Sequence, residues 1–127
     1  MAVTHSATAR NAAANAVVDL LDVGAGANGT AVFLTSADVV VATLPMTPKA
    51  TGAFGNAAGG VATANAISPD TNAVGGTVAK VQLRDCNNAP QVYGSVAVSG
   101  GDITGTSMVI GSGDSVSLSN LTYAAPV

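Results

Sequence analysis

Few side chains in this sequence have the chemistry for catalysis or metal binding, and their spacing does not gather them. There is one histidine, His5, and one cysteine, Cys86; the seven acidic residues are all Asp. A Ser-His-Asp arrangement would have to use His5 from a position just before the first helix, where nothing in the pattern holds an imidazole against a serine. A tetrahedral zinc site needs several His, Cys or carboxylate ligands, and this composition does not supply them. Asp70, Asn72, Asp102 and Asp114 are hard oxygen donors in turn-rich segments, but their spacing matches no calcium loop. Making turns is the simpler role. "GAGANG" (24–29) imitates a phosphate-binding loop, yet it follows a helix and lacks the lysine. "NGT" and "NLT", at Asn28 and Asn120, fit a glycosylation pattern that matters only on a secretory route. Cys86, in "RDCNN", reads as an exposed loop thiol. The expectation is no enzyme, no metal and no cofactor.

Composition narrows the choice further. Hydrophobic residues make up 48% of the chain, mostly Ala and Val, and charged residues only 9%, against about 25% in an ordinary domain. Four basic residues (Arg10, Lys49, Lys80, Arg84) on a chain of net charge −3 make no stripe for phosphates. With no Trp, two Phe and two Tyr, there is no stacking platform either. The expectation is therefore no nucleic-acid partner. The same scarcity of cations argues against an anionic membrane surface. "MAVTHSATARNAAANAVV" lacks the basic start and apolar run of a signal peptide, and no stretch reaches the roughly 18 apolar residues of a membrane span.

The elements that would position any site are legible in outline. At 127 residues the chain reads as one domain, 1–127. The helix is expected at about 7–23, capped by Thr4 or Ser6, with Ala9, Ala13, Val17, Leu20 and Leu21 on its buried face. Asn11, Asn15, Asp19 and Asp22 line the other side, and Gly24 stops it. Residues 24–29 read as a flexible link. From about 30 to 124 the pattern is β: a hairpin at Thr30–Ser36 and Asp38–Met46, apolar on both faces and so needing cover on both, by the opposite sheet on one side and by the helix or another subunit on the other. A loop anchored by Phe54 follows. Next come an Ala-faced strand at 61–67 and "TVAKVQLRD", with Ala79, Val81 and Leu83 inward and Lys80, Gln82 and Arg84 outward. "QVYGSVAVS" puts Val92, Val96 and Val98 on one face. "GSGD" (Gly111–Asp114) reads as a hairpin turn before a last strand whose phase slips near Asn120, as a β-bulge would cause. "AAPV" is left as a tail. Together these predict a mainly β fold: an antiparallel β-sandwich or barrel-like domain of about seven or eight strands behind one N-terminal helix.

Three segments resemble small proteins encoded by tailed bacteriophages: "AVTHSATARNAAANAVVDLLDVG", "GVATANAISPDTNAVGGTVAKVQL" and "GDSVSLSNLTYAAP". The resemblance implies a virion structural part, assembled in the host cytoplasm, and carries over no functional residues. Size and composition favour a capsid decoration (cement) protein, a homo-oligomer joined to a major capsid or other virion protein. A tail, tail-tip or fibre-associated subunit with a host contact in a mobile 45–60 loop is the alternative. A free sugar-binding module is a third class, and the scarcity of Trp and Tyr argues against it. Candidate assembly residues are Asp19 and Asp22 at the helix end, where a partner's cation would meet them. Phe54, and Tyr93 on the polar phase of its strand, complete the set.

Overall fold

A computed structural model describes residues 3–125. Helix α1 runs Ala7–Asp19 and tightens into one 3-10 turn, Leu20–Asp22. The Ser6 hydroxyl accepts from the Ala9 N–H at 3.1 Å, satisfying a first-turn donor that has no partner inside the helix. Gly24 follows with φ +128°, a conformation that favours glycine.

The packing face of α1 is rotated from the expected one. Ala14, Val18 and Leu21 are buried, Ala9 and Ala13 are exposed, and Leu20 is 44% exposed. The polar residues cause the difference. Asn11 accepts from the Gly60 N–H at 2.7 Å, Asn15 from Ala57 at 2.8 Å and Asp22 from Ala53 at 2.9 Å. Side chains that looked like a solvated stripe thus supply acceptors to a loop whose backbone has few partners of its own. Asn15→Ala is expected to cost roughly 1–3 kcal/mol, because the part-buried Ala57 N–H loses its acceptor. Asp19→Ala, at an exposed position, should change stability by no more than about 0.5 kcal/mol. Urea unfolding of both variants checks the contrast.

Strands β1 (Thr30–Leu34), β2 (Val40–Pro45), β5 (Lys80–Arg84), β6 (Pro90–Ala97) and β7 (Ile103–Thr104) make one sheet in the order β2-β1-β5-β6-β7. The β1–β2 hairpin forms as expected, with Asp38 at φ 64° in its turn and a register shift between Phe33 and Leu34. β7 runs parallel to β6, so the sheet is mixed rather than antiparallel. The short strands β3 (Val61–Thr63), β4 (Gly76–Thr77), β8 (Val109–Ile110) and β9 (Thr122–Ala124) pair as two ribbons, β3-β9 and β4-β8. The fold is mainly β with one N-terminal helix; among the described residues nine strands, against the seven or eight expected, lie in one mixed sheet and two ribbons and are not all antiparallel.

The last third of the chain departs most. Gly111–Asp114 does turn, with the Gly111 N–H donating to the Asp114 carboxylate at 2.8 Å. Its flanks do not pair with each other: β8 pairs with β4, and Val116 bridges Asp70. The expected last strand with a bulge near Asn120 does not form: only Thr122–Ala124 is strand, Val116 makes an isolated bridge, and the pattern breaks at Asn120, which sits at φ 57°, a region Asn tolerates better than most residues. Val98, expected inward, is 63% exposed just beyond β6. Ala66 is exposed because β3 ends at Thr63. Ala124 and Ala125 are no tail: the former belongs to β9, and the latter's N–H donates to Gly60 O at 2.9 Å. Pro126 and Val127, the rest of that expected tail, lie outside the described residues.

Segment 24–29 is pinned rather than flexible. Gly26 N–H donates to Cys86 O at 3.0 Å, and Cys86 N–H to Val23 O at 2.9 Å. Ala25 N–H reaches the Asn87 side chain at 3.0 Å, and Met46 N–H donates to Gly29 O at 3.0 Å. The glycines permit close approach to the β5–β6 turn, where a Cβ on Gly24 would lie 2.6 Å from Asn87 N.

One core lies on the inner face of the sheet, where Val18 and Leu21 of the helix join Phe33, Leu44, Val81 and Leu83. Strand β1 is buried on both faces, with Val32 and Leu34 each 1% exposed on the outer one. Val32 and Leu34 lie outside the cluster that the helix residues Val18 and Leu21 join. The cross-strand neighbours there are Thr43 and Gln82 beside Val32, and Val40 and Lys80 beside Leu34, and the stems of long polar side chains shield apolar neighbours. The β2 edge is closed as well: Val74 and Gly75 donate to Val41 O, and Thr43 N–H donates to the Asp70 carboxylate at 2.9 Å. Such plugging blocks edge-to-edge pairing.

Candidate functional site

The four candidate residues fall in different environments. Asp19 is exposed at the end of α1, next to the exposed side chains of Leu20 and Val23. Asp22 is half-buried and holds the Ala53 N–H, so its carboxylate is engaged within the chain. Phe54 belongs to the core at 8% exposure and bridges Ala64, offering no surface ring. Tyr93 is 69% exposed on β6.

Tyr93 has company that the linear sequence did not reveal. It lies directly across from Gln82, with Lys80 and Arg84 two positions to either side on β5. These residues share the outer face, because Val81 and Leu83 alternate inward, and diagonal neighbours on one sheet face lie within reach of long side chains. Lys80 pairs with Asp38 at 2.7 Å. Among the described residues Arg84 meets neutral acceptors, Gln82 at 3.0 Å and Asn88 at 3.3 Å, and no carboxylate pairs with it. The alternation of "TVAKVQLRD" placed Lys80 and Arg84 outward; only strand register could place them beside Tyr93.

Several other ionisable groups have structural roles. Cys86 is buried, contrary to the loop-thiol expectation, and its thiol donates to Leu21 O at 3.5 Å. Burial pushes its pKa up, which suppresses the reactive thiolate. Asp70, Asp102 and Asp114 each accept from nearby backbone N–H groups, in keeping with turn-making. Asp85 is buried in the β5–β6 turn and accepts from the Asn87 and Ala89 N–H groups at 2.9 Å each and from Gln91 at 3.0 Å. The bond from Ala89 leads in holding its pKa below the ordinary value of 3.8; burial opposes it, and the bonds from Asn87 and Gln91 add to it. A carboxylate with a depressed folded pKa contributes stability above its unfolded pKa, and loses that contribution as pH falls through the folded one. The melting-point advantage of the wild type over Asp85→Asn should therefore be full near neutral pH. It should start to shrink near pH 3.8 and fade below it, as thermal melts across an acid series would show.

An open cleft of about 530 Å³ lies between Ile103–Met108 and Ser115–Thr122. Phe33, Val78 and Val96 line its apolar side, and serines and threonines line much of the rest. Among the described residues Asp102 is its one titratable lining residue, already bonded to the Ser95 N–H and hydroxyl. Nothing there pairs an acid with a base. Among the described residues, no three His, Cys, Asp or Glu side chains group to hold a metal ion, and no helix is long and apolar enough to cross a membrane. No family model, curated protein or solved structure matches the chain.

Proposed function

We propose that this chain is a structural protein of a tailed-bacteriophage particle, acting as a capsid decoration or cement protein that joins copies of itself to a major capsid protein. The observation that carries the reading is how fully the loops are tied down. Residues 53–60 hang from Asn11, Asn15 and Asp22, and residues 24–29 from the β5–β6 turn. A surface already ordered before contact loses little entropy on docking. The short Ala, Val, Ser and Thr side chains add little rotamer cost. In this reading the body is sandwich-like, with the sheet on one side of the core and the helix and ribbons on the other. Each copy needs only a modest interface, because many weak joints act together on one shell.

Gold-labelled antibody against the protein, viewed on intact particles of the encoding phage, tests this. Even labelling of heads supports decoration. Label confined to tails replaces it with a tail or fibre role, and particles without label overturn a place on the virion surface.

A further inference from the structure

We infer that copies of this chain associate head to tail, the acidic end of α1 on one copy seating on the Lys80–Tyr93–Arg84 face of the next. The molecule carries net charge −3, yet two of its four cations stand on this one sheet face. Arg84 there has only neutral partners among the described residues. At the end of α1 is the complementary feature. Asp19 is exposed and pairs with no cation among the described residues, where the one ion pair is Lys80–Asp38. Each patch also carries apolar area: Leu20 is 44% and Val23 54% exposed beside Asp19, and Tyr93 is 69% exposed beside Arg84. Lys80 is already paired with Asp38 at 2.7 Å, so the outward ring accepts an aliphatic side chain on its face while Arg84 meets the carboxylate. Aromatic residues and Arg are the types enriched at such contacts.

One molecule cannot make this contact internally. The last turn of α1 packs on the inner face through Leu21, while Tyr93 and Arg84 point away on the outer face. The two patches are different surfaces, so the contact is heterologous and extends or closes into a ring rather than ending at a two-fold dimer. Exposed charges set its salt response, because screening within a Debye length of about 8 Å at physiological ionic strength weakens it. The inference goes beyond the capsid reading and does not depend on it.

Sedimentation velocity of the full chain, up to about 200 µM, tests it in low and high salt, a range suited to the weak end of protein association. Reversible self-association that weakens about tenfold or more in high salt is expected. Asp19→Arg and Arg84→Asp should each weaken it by a similar factor, since like charges then face each other. The double variant should restore it. Thermal melts confirm that each variant folds, and Tyr93→Ser reports on the same face if Arg84→Asp does not. A wild type that stays monomeric throughout, an Asp19→Arg variant that associates like the wild type, or a folded double variant that stays apart overturns the inference. Association that follows the charges with no gold on particles would leave this contact standing and remove the capsid reading.

Discussion

Replacing Leu21 by Ala is expected to lower the stability of the isolated protein by about 2–5 kcal/mol, the range for truncating a fully buried leucine. Leu21 is 0% exposed and joins the core cluster with Val18, Phe33 and Leu44. Its position explains why the loss should sit at the high end. Its carbonyl also receives the Cys86 thiol and faces Gly29, so the surroundings are tied and collapse poorly into the cavity. For a domain of this size the melting point should fall on the order of 10–20 °C. Leu20→Ala is the control, since that neighbouring side chain is 44% exposed and should shift stability far less, by about 1 kcal/mol or less. An unchanged melting point for Leu21→Ala would mean that α1 is not part of the folding core.

Gly29→Ala is the second large effect, for the opposite reason. A Cβ there would lie 2.6 Å from Arg84 O, 2.8 Å from Leu21 O and 3.1 Å from Met46 Cε. Two of the three obstacles are backbone, one from β5 and one from the end of the helix, so no rotamer change relieves the clash. Overpacking of this kind costs about 1–3 kcal/mol and at times more. Gly55→Ala provides the comparison. Its new Cβ meets only Thr63 O at 3.7 Å, an ordinary contact, and its melting point should stay close to the wild type. Equal melting points for the two alanine variants would show that segment 24–29 gives way easily and is not held as tightly as its hydrogen bonds to Cys86, Asn87 and Met46 imply.

Both predictions turn on the helix end and the glycine segment behind it, where reading by pattern was least complete. The sequence marked Leu21 as buried because it continues a helical apolar spacing. It marked Gly24–Gly29 as a link because glycine usually means freedom. Here glycine means close approach, and only the neighbouring turn at Asp85–Asn88 makes that visible. The same holds for Asn11 and Asn15. Their types predict exposure, and no local feature says that a loop some 40 residues away needs acceptors.

Among the candidate surface residues, the strand phase of Tyr93 was readable because β periodicity is local. The burial of Phe54 and the engagement of Asp22 were not, because both depend on where the 48–60 segment folds back. The pairing of Lys80 and Arg84 around Tyr93 is set by the β5–β6 register, which includes a shift between Leu83 and Arg84 that alternation alone does not encode.

By itself the sequence determined the local and compositional facts. These are a capped N-terminal helix, a β-rich remainder, the β1–β2 hairpin, the inward phase of Val81 and Leu83, and too few clustered ionisable groups to suggest chemistry. Each follows from short-range periodicity, capping or counting. The tertiary structure alone decided the parallel β6–β7 pairing, the separation of the Gly111–Asp114 flanks into different ribbons, and the use of polar helix residues as loop acceptors. Those outcomes depend on which distant backbone groups lack partners once the core has formed, and no window of neighbouring residues contains that information.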